Sequence, residues 1–460
     1  MGDRCEQGGR SDPNPTASSM RDRHDHRRRL AQILAAPIFL VLSITLLALP
    51  PVFADEETES AVNVRQIRVE GLEDSDPRLI LRELPFHSGT AWRSGMKALS
   101  ERRLRNLGLF RNIVVHAPDE AGDVLIEVHE RWSLWILPRL NRNDDGTSGL
   151  GVNVDEYNLW GLGHHLRVAV DQDTGKNFST SNGTSYSLGY QWPKIADTRF
   201  GFAFGYHQGN SVYVGFDAGQ SVANYIEQRH ELLLDMSYGL GPDPGEGWTT
   251  HGGLVRSNSS FSFIDGDPLP DVGDNRITSV IAGLEYKLID DHITWLSGER
   301  FEYEIRQGVR ALGSDQASLT HTISWRKYRH IGRGRTLNFR LKGGQIAGDS
   351  QRDARFDLGN RNEIRGYFPG ELLATRFLFG TVEGRFPSEP DSNFVYVAFA
   401  DIGHLSDRGQ DPFGKKVITG FGGGIRWTLR WLVHGVLRVD LAYGLASNNL
   451  RLYLGTGQAF

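Results

Sequence analysis

From residue 132 onward the chain alternates. Phe301, Tyr303, Ile305, Val309 and Ala311 hold one parity of a run, and Arg300, Glu302, Glu304, Arg306 and Arg310 hold the other. Leu337, Phe339 and Leu341 stand against Asn338, Arg340 and Lys342, and Leu437, Val439, Leu441, Tyr443 and Leu445 against Arg438, Asp440, Ala442 and Gly444. Leu232, Leu234, Met236 and Tyr238 oppose Asp235 and Ser237 in the same way. A period of two predicts strands. Its recurrence with ionised groups on the second face predicts an apolar exterior against lipid and a polar interior, the dyad of a transmembrane β-barrel.

The runs begin near Ser133, Leu150, Leu166, Thr184, Arg199, Glu227, Thr249, Thr278, Glu299, Leu319, Thr336, Arg376, Phe394, Thr419, Val436 and Arg451. The predicted fold class is therefore all-β, an antiparallel barrel of about sixteen strands over residues 132–460, an even number as single-chain bacterial barrels need. Closure pairs Ser133–Leu140 with Arg451–Phe460 and removes edges that lipid could not satisfy.

Residues 62–131 follow another pattern. Val64–Glu70 alternates as a strand, Asp76-Pro77 opens a short helix through Leu84, and Ser94–Leu107 forms a second helix with a basic outer face. Gly108 stops that helix, and strands follow over Phe110–His116 and Val124–His129. The order predicts a compact α+β domain of about seventy residues, near the lower size limit for folding alone.

The one long apolar run, Leu30–Leu49, follows an Arg/His-rich segment and precedes Val52-Phe53-Ala54. This predicts a signal peptide over residues 1–54, with an uncleaved anchor as the alternative and Met20 as a second candidate initiator. The composition of the whole chain, with 54 glycines, 10% aromatics and a mean hydropathy of −0.38, excludes a helical membrane bundle. Cys5 is the sole cysteine and lies in the leader, which leaves no disulfide or thiolate metal site downstream. A net charge of −5 gives no electrostatic case for nucleic acid.

With the α+β domain in the periplasm, inner turns should be short and outer loops long. The predicted inner turns Asn158–Gly163, Pro193–Asp197, Gly241–Gly247, Asp290–His292, Gly332–Gly334, Pro387–Ser392 and Leu432–Gly435 are short. The predicted outer loops Asp171–Asn182, Ser259–Arg276 and Gly348–Ala374 are long. Trp132, Trp135, Trp160, Trp192, Trp248 and Trp431 fall near inner strand ends, as an interfacial girdle requires.

Three spaced motifs lie downstream of Gly348. They are Ile364-Arg365-Gly366-Tyr367 in the longest loop, Glu383 within Thr381–Pro387, and Asp401 within Phe399–Gly403. Strand parity puts both acids on the interior face. The segments Leu104–Val115 and Val124–Glu130 resemble a POTRA (polypeptide-transport-associated) repeat, and the loop motif resembles the Val/Ile-Arg-Gly-Phe/Tyr signature of the BamA/TamA-type outer-membrane assembly superfamily. The resemblance implies a loop folded back into the barrel, with Ile364, Arg365, Gly366 and Tyr367 as a latch and Glu383, Phe399, Asp401 and Gly403 as its partners in the lumen. A guanidinium suits this role because its planar fork holds carboxylates bidentately and keeps its charge. Phe460 resembles the terminal aromatic by which such barrels are recognised for insertion.

His164-His165 lacks a carboxylate set for a metal, Ser257, Ser259, Ser260 and Ser262 lack a spaced His/Asp pattern, and no helix follows Gly422-Gly423-Gly424 to make a phosphate loop. No cofactor is implied. The resemblance implies a non-enzymatic insertase or translocator in the outer membrane. Its partners would be lipid, unfolded outer-membrane or secreted clients, and periplasmic chaperones or accessory lipoproteins. A passive surface-antigen barrel and a dedicated secretion pore are the alternatives.

Overall fold

The computed structural model describes residues 62–142, 148–174, 183–217, 220–241, 246–348, 355–390, 392–407 and 417–456. Residues 1–54, read above as a signal peptide, and Phe460 lie outside these residues. The described chain opens with β1 (Gln66–Glu70), α1 (Pro77–Leu81), α2 (Gly95–Asn106), β2 (Phe110–Val115) and β3 (Asp123–Glu130). The Asp76 carboxylate accepts the Arg78 N–H at 2.8 Å and Pro77 fills the first turn of α1, which ends at Leu81 rather than Leu84. Gly108, at φ +72°, ends α2. The sheet order is β1-β3-β2, with β3 parallel to β1 and antiparallel to β2, and Leu79, Ile80, Leu104, Phe110, Val115 and Ile126 form its core.

Sixteen strands then make one antiparallel sheet. The first eight are β4 (Leu134–Arg142), β5 (Ser148–Leu159), β6 (His164–Thr174), β7 (Thr184–Trp192), β8 (Phe200–Asp217), β9 (Gln220–Gly239), β10 (Gly247–Gly266) and β11 (Asn275–Asp291). Next come β12 (Leu296–Gly308), β13 (Ser318–His330) and β14 (Thr336–Gly348); a two-residue pair inside the following loop, β15 (Phe356–Asp357) with β16 (Leu373–Ala374), stands apart. The sheet resumes with β17 (Arg376–Pro387), β18 (Phe394–Ser406), β19 (Val417–Thr428), β20 (Val436–Gly444) and β21 (Asn449–Thr456). Burial follows parity. Ile402, Ile425, Val439 and Leu441 are exposed on the outer face, while Asp401, Arg426, Arg438 and Asp440 are buried on the inner one.

Three expectations are corrected. The first and last strands form no ladder among the described residues, which stop at Thr456: the sheet runs from β4 to β21, and Trp132, just before β4, makes a parallel bridge to Leu432 in the turn between β19 and β20. Ser259–Arg276 is not one long loop, because β10 continues to Gly266 against β9, which begins at Gln220 rather than near Glu227. Polar residues keep pairing once the ladder is set, so hydropathy alone ends these strands too early. Trp135 does not join a girdle. It is buried, and its indole N–H donates to Val433 O at 2.7 Å, while neighbouring Ile136 takes the outer face.

The basic face of α2 does not look into solvent either. Arg102 meets Glu246 at 2.8 Å and Arg105 meets Asp290 at 2.9 Å, so the helix lies on turns at one end of the barrel. On the α1 side the Lys194 ammonium sits 2.6 Å from the Glu83 carboxylate, both side chains being buried. Burial lowers the Lys194 pKa, and the charge of Glu83 opposes that shift. Removing Lys194 takes away both of its hydrogen bonds to Glu83 and leaves that carboxylate beside Arg82 Nε at 3.5 Å, so the cost is a part of the roughly 3–5 kcal/mol of a fully stranded buried charge. Lys194→Met is therefore expected to loosen the α+β domain from the barrel. The check is faster tryptic release of residues 62–131, partly reversed when Glu83→Gln is added.

Candidate functional site

The loop between β14 and β17 enters the barrel and lies along the inner faces of β17 to β21. Its backbone is held by arginines of the wall: Arg340 donates to Asn362 O at 2.6 Å and to Glu363 O at 3.2 Å, and Arg438 donates to Arg361 O at 2.7 Å. Lys342 meets the Glu363 carboxylate at 2.6 Å. At the tip the arrangement inverts, with the arginine on the loop and the acids on the wall. The Arg365 guanidinium donates through Nε to Asp401 Oδ2 at 2.8 Å, through Nη2 to Asp401 Oδ1 at 2.9 Å and through Nη1 to Glu383 Oε2 at 3.0 Å. Its backbone N–H also donates to Asp401 at 3.1 Å.

The pairing is dry. Arg365 is 1% exposed, and Glu383 and Asp401 are each 0% exposed. Burial by itself lowers an arginine pKa; hydrogen bonding to Asp401 and the charges of Asp401 and Glu383 outweigh it and hold Arg365 above its ordinary value. Phe399, one turn of the β18 pleat from Asp401, lies with its ring centroid 3.3 Å from the guanidinium carbon, which fixes the plane of the fork. Ile364 packs in a cluster with Tyr367, Phe379 and Ile418, and its side chain occupies the space a Cβ at Gly403 would need. Tyr367 is buried, with its hydroxyl donating to Thr419 O at 2.8 Å and accepting the Ala446 N–H at 3.1 Å.

Glycine is required at two places here. Gly366 has φ +97° and lies against the backbone of β20, where a Cβ would come within 2.4 Å of Gly444 N. Gly420 on β19 faces Arg365, and a Cβ there would lie 2.0 Å from the Arg365 carbonyl oxygen. Gly420→Val is thus expected to push the tip off the wall without altering any of the three charged residues. The readout is new protease cleavage within residues 355–372 of a barrel that still folds and inserts.

Sequence parity places Glu383, Phe399, Asp401 and Gly403 on the inner face, and the structure brings all four to the Arg365 tip. It also supplies residues that the motifs did not single out. Arg385 shares Glu383 with Arg365, through Nε at 2.9 Å, and Arg426 and Arg438 flank Asp440. Inner parity was the available signal for all four. Gly422 and Gly424 lie in β19 where its backbone approaches β20 closely: a Cβ at Gly422 would lie 2.1 Å from Leu441 O. His165 pairs with Asp155 at 2.9 Å and His164 with the Tyr190 hydroxyl at 2.9 Å. Among the described residues no group of three His, Cys, Asp or Glu side chains is placed to hold a metal.

The loop also contains a carboxyl whose titration is displaced. Burial pushes Asp357 up to about 6, against the N–H groups of Gly370 and Gly359 that its carboxylate accepts. An acid with a raised folded pKa contributes stability that is full below its unfolded value of about 3.9 and is lost as pH rises through the folded one. A spin label at Asn360 is expected to be less mobile at about pH 5 than at about pH 7.5, and Asp357→Asn to abolish the difference.

The Omp85 superfamily domain matches residues 158–460, most of the barrel and the whole of the Arg365 site. The chain belongs to the Omp85 superfamily. Among curated Omp85 relatives, the outer membrane protein assembly factor BamA of Neorickettsia risticii is 24% identical over 424 residues, covering 83% of this chain and 52% of its own. BamA of Nitratidesulfovibrio vulgaris is 19% identical over 365 residues, covering 74% of this chain and 44% of its own. The chain thus spans about half the length of the curated relatives it matches. Among solved structures, CdiB from Escherichia coli superposes with a TM-score of 0.60 at 15% identity, covering 85% of this chain and 75% of that one. BamA from Haemophilus ducreyi lacking POTRA domains 1–3 superposes with a TM-score of 0.50 at 14% identity, covering 85% and 83%. At such identities these two likenesses concern the Omp85 fold alone.

Proposed function

We propose that this Omp85 barrel is an outer-membrane insertase or translocator that assists unfolded client proteins into or across the outer membrane. In this reading residues 1–54 are a cleaved signal peptide, residues 62–131 a POTRA domain in the periplasm and residues 132–460 the barrel. The observation that carries it is the sheet order, which among the described residues leaves β4 and β21 as the two ends of the sheet. A strand edge in lipid exposes backbone groups that cost several kcal/mol each when unsatisfied. An extended client strand satisfies them by adding to the edge, as β-augmentation does. The relatives named as assembly factors support the same reading. No catalytic step is assigned, since strand pairing and client folding supply the driving force.

The α+β domain is the natural receiver of clients because it joins β4 directly through Arg131 and Trp132. Deleting residues 62–131 tests the reading in cells. The expected result is an outer membrane depleted of one or more barrel or secreted proteins. An unchanged outer-membrane and secreted proteome, with the truncated barrel present at normal level, would instead leave a passive surface barrel.

A further inference from the structure

Among the described residues the last strand pairs with β20 alone, and it is also held from within. Exposure alternates along β21: Leu450, Leu452 and Leu454 are more than half exposed on the outer face, and Arg451, Tyr453 and Gly455 turn inward. Each of the three inward positions meets the loop that carries Arg365. The Arg451 guanidinium carbon lies 3.4 Å from the ring centroid of Phe368. The Tyr453 hydroxyl accepts the Gly366 N–H at 2.9 Å and donates to Tyr367 O at 3.3 Å. A Cβ at Gly455 would lie 2.7 Å from Arg361 Nη1, which itself donates to Leu454 O at 3.3 Å.

We propose that the Arg365 loop is an inner brace for β21, with Tyr453 as the positioning residue that joins them, so that release of the loop and mobility of the last strand are one event. This rests on the insertase reading for its purpose and on the contacts alone for its physics. An edge strand of eight residues with a single ladder is a weak element by itself. The loop supplies the missing restraint through side chains and main-chain donors rather than through a second ladder. The tip hydrogen bond falls on the residue after Arg365, so the charged grip on Asp401 and Glu383 and the hold on Tyr453 share one backbone segment. The two ends of that segment bias each other, and a coupling of this kind is reciprocal. A client strand that displaces β21 would loosen the Arg365 grip, and a loosened grip would free the edge that a client needs.

Hydrogen exchange on the full-length barrel in lipid nanodiscs, with no client present, reads both ends. Tyr453→Phe removes only the hydroxyl. It is expected to raise exchange of residues 450–456 and protease cutting of residues 355–372 by about tenfold, the effect of one well-placed hydrogen bond, with no change in β12 or β13. Arg365→Ala is expected to raise exchange of residues 450–456 in the same way, although the guanidinium hydrogen-bonds to β17 and β18 and not to β21. A strand whose exchange is unmoved by Arg365→Ala while the loop becomes cleavable overturns the brace. So does Tyr453→Phe with an unaltered loop. The same variants separate the two readings in cells. Coupled motion with a normal outer-membrane proteome keeps the brace and removes the insertase reading. Lost assembly without coupled motion does the reverse.

Discussion

Arg365→Ala is expected to release the loop tip and leave two buried carboxylates on the inner wall. Glu383 retains Arg385 at 2.9 Å, but Asp401 loses both of its side-chain donors and the ring-backed cation that neutralises it. Breaking a buried pair by removing one partner costs about 3–5 kcal/mol, because the remaining charge stays uncompensated. That loss falls on the tip itself, while Arg340, Lys342 and Arg438 still hold residues 361–363, so the tip should leave the wall while the backbone before it stays docked. The main ladders of the barrel do not pass through Arg365, and the variant should still insert. The measurements are protease access to residues 355–372 and heat-modifiable mobility on a gel. Access should rise sharply while the folded band persists. Arg365→Lys should recover little, since an ammonium is a point charge and cannot span Asp401 and Glu383 as a fork. Asp401→Asn should resemble Arg365→Ala more closely than Glu383→Gln does, because three of the four hydrogen bonds made by Arg365 go to Asp401.

Arg131→Ala is expected to uncouple the α+β domain from the barrel. This side chain is buried at the junction and donates to three carbonyl oxygens in two elements: Gly108 at the end of α2, and Arg430 and Leu432 in the turn between β19 and β20. Burial lowers its pKa to about 10, so it remains charged at neutral pH. The same turn inserts Val433, fully buried, into the core formed by Leu79, Leu104, Leu109 and Val128 of the domain. Leaving buried acceptors unpaired costs about 1–3 kcal/mol each. The loss should appear as early thermal release of the domain while the barrel transition stays in place. Val433→Asp should do the same by placing a charge in the domain core, which gives an independent route to one outcome. A single unchanged transition in both variants would contradict this account of the junction.

The fold was largely legible because one periodicity carries most of it. Every strand of the large sheet lies within a few residues of an alternating run, except where β9 and β10 extend beyond the apolar stretch on Ser, Asn and Gln residues. Alternation reports which face meets lipid and says little about how far a ladder continues past it. The site was legible at the level of parity. Glu383 and Asp401 had to face inward once Val382 and Ile402 faced out, and the longest loop carried the arginine.

What stayed hidden has no period. Arg131 reaches carbonyls some three hundred residues away, Tyr453 meets the backbone of Gly366, and Val433 enters the core of a domain that precedes the barrel. Each is a single side chain acting on main-chain atoms across the fold. A lone arginine, tyrosine or valine in a strand or turn gives no sign of that. The basic face of α2 was misread for a related reason. An amphipathic helix shows which side is apolar, whereas the acids that receive Arg102 and Arg105 come from turns far along the chain.

Whether clients pass along the seam is tested most directly by photo-crosslinking from the sheet ends during assembly. A photoreactive residue is placed at Leu137 in β4, at Leu452 in β21 and, as a control, at Leu284 in β11. Each variant, in proteoliposomes, is then supplied with a radiolabelled, unfolded outer-membrane barrel protein from the same bacterium. The account predicts adducts at Leu137 and Leu452, none at Leu284, and more at Leu452 when Arg365→Ala is present. Adducts confined to the α+β domain, or equal at all three positions, would contradict it.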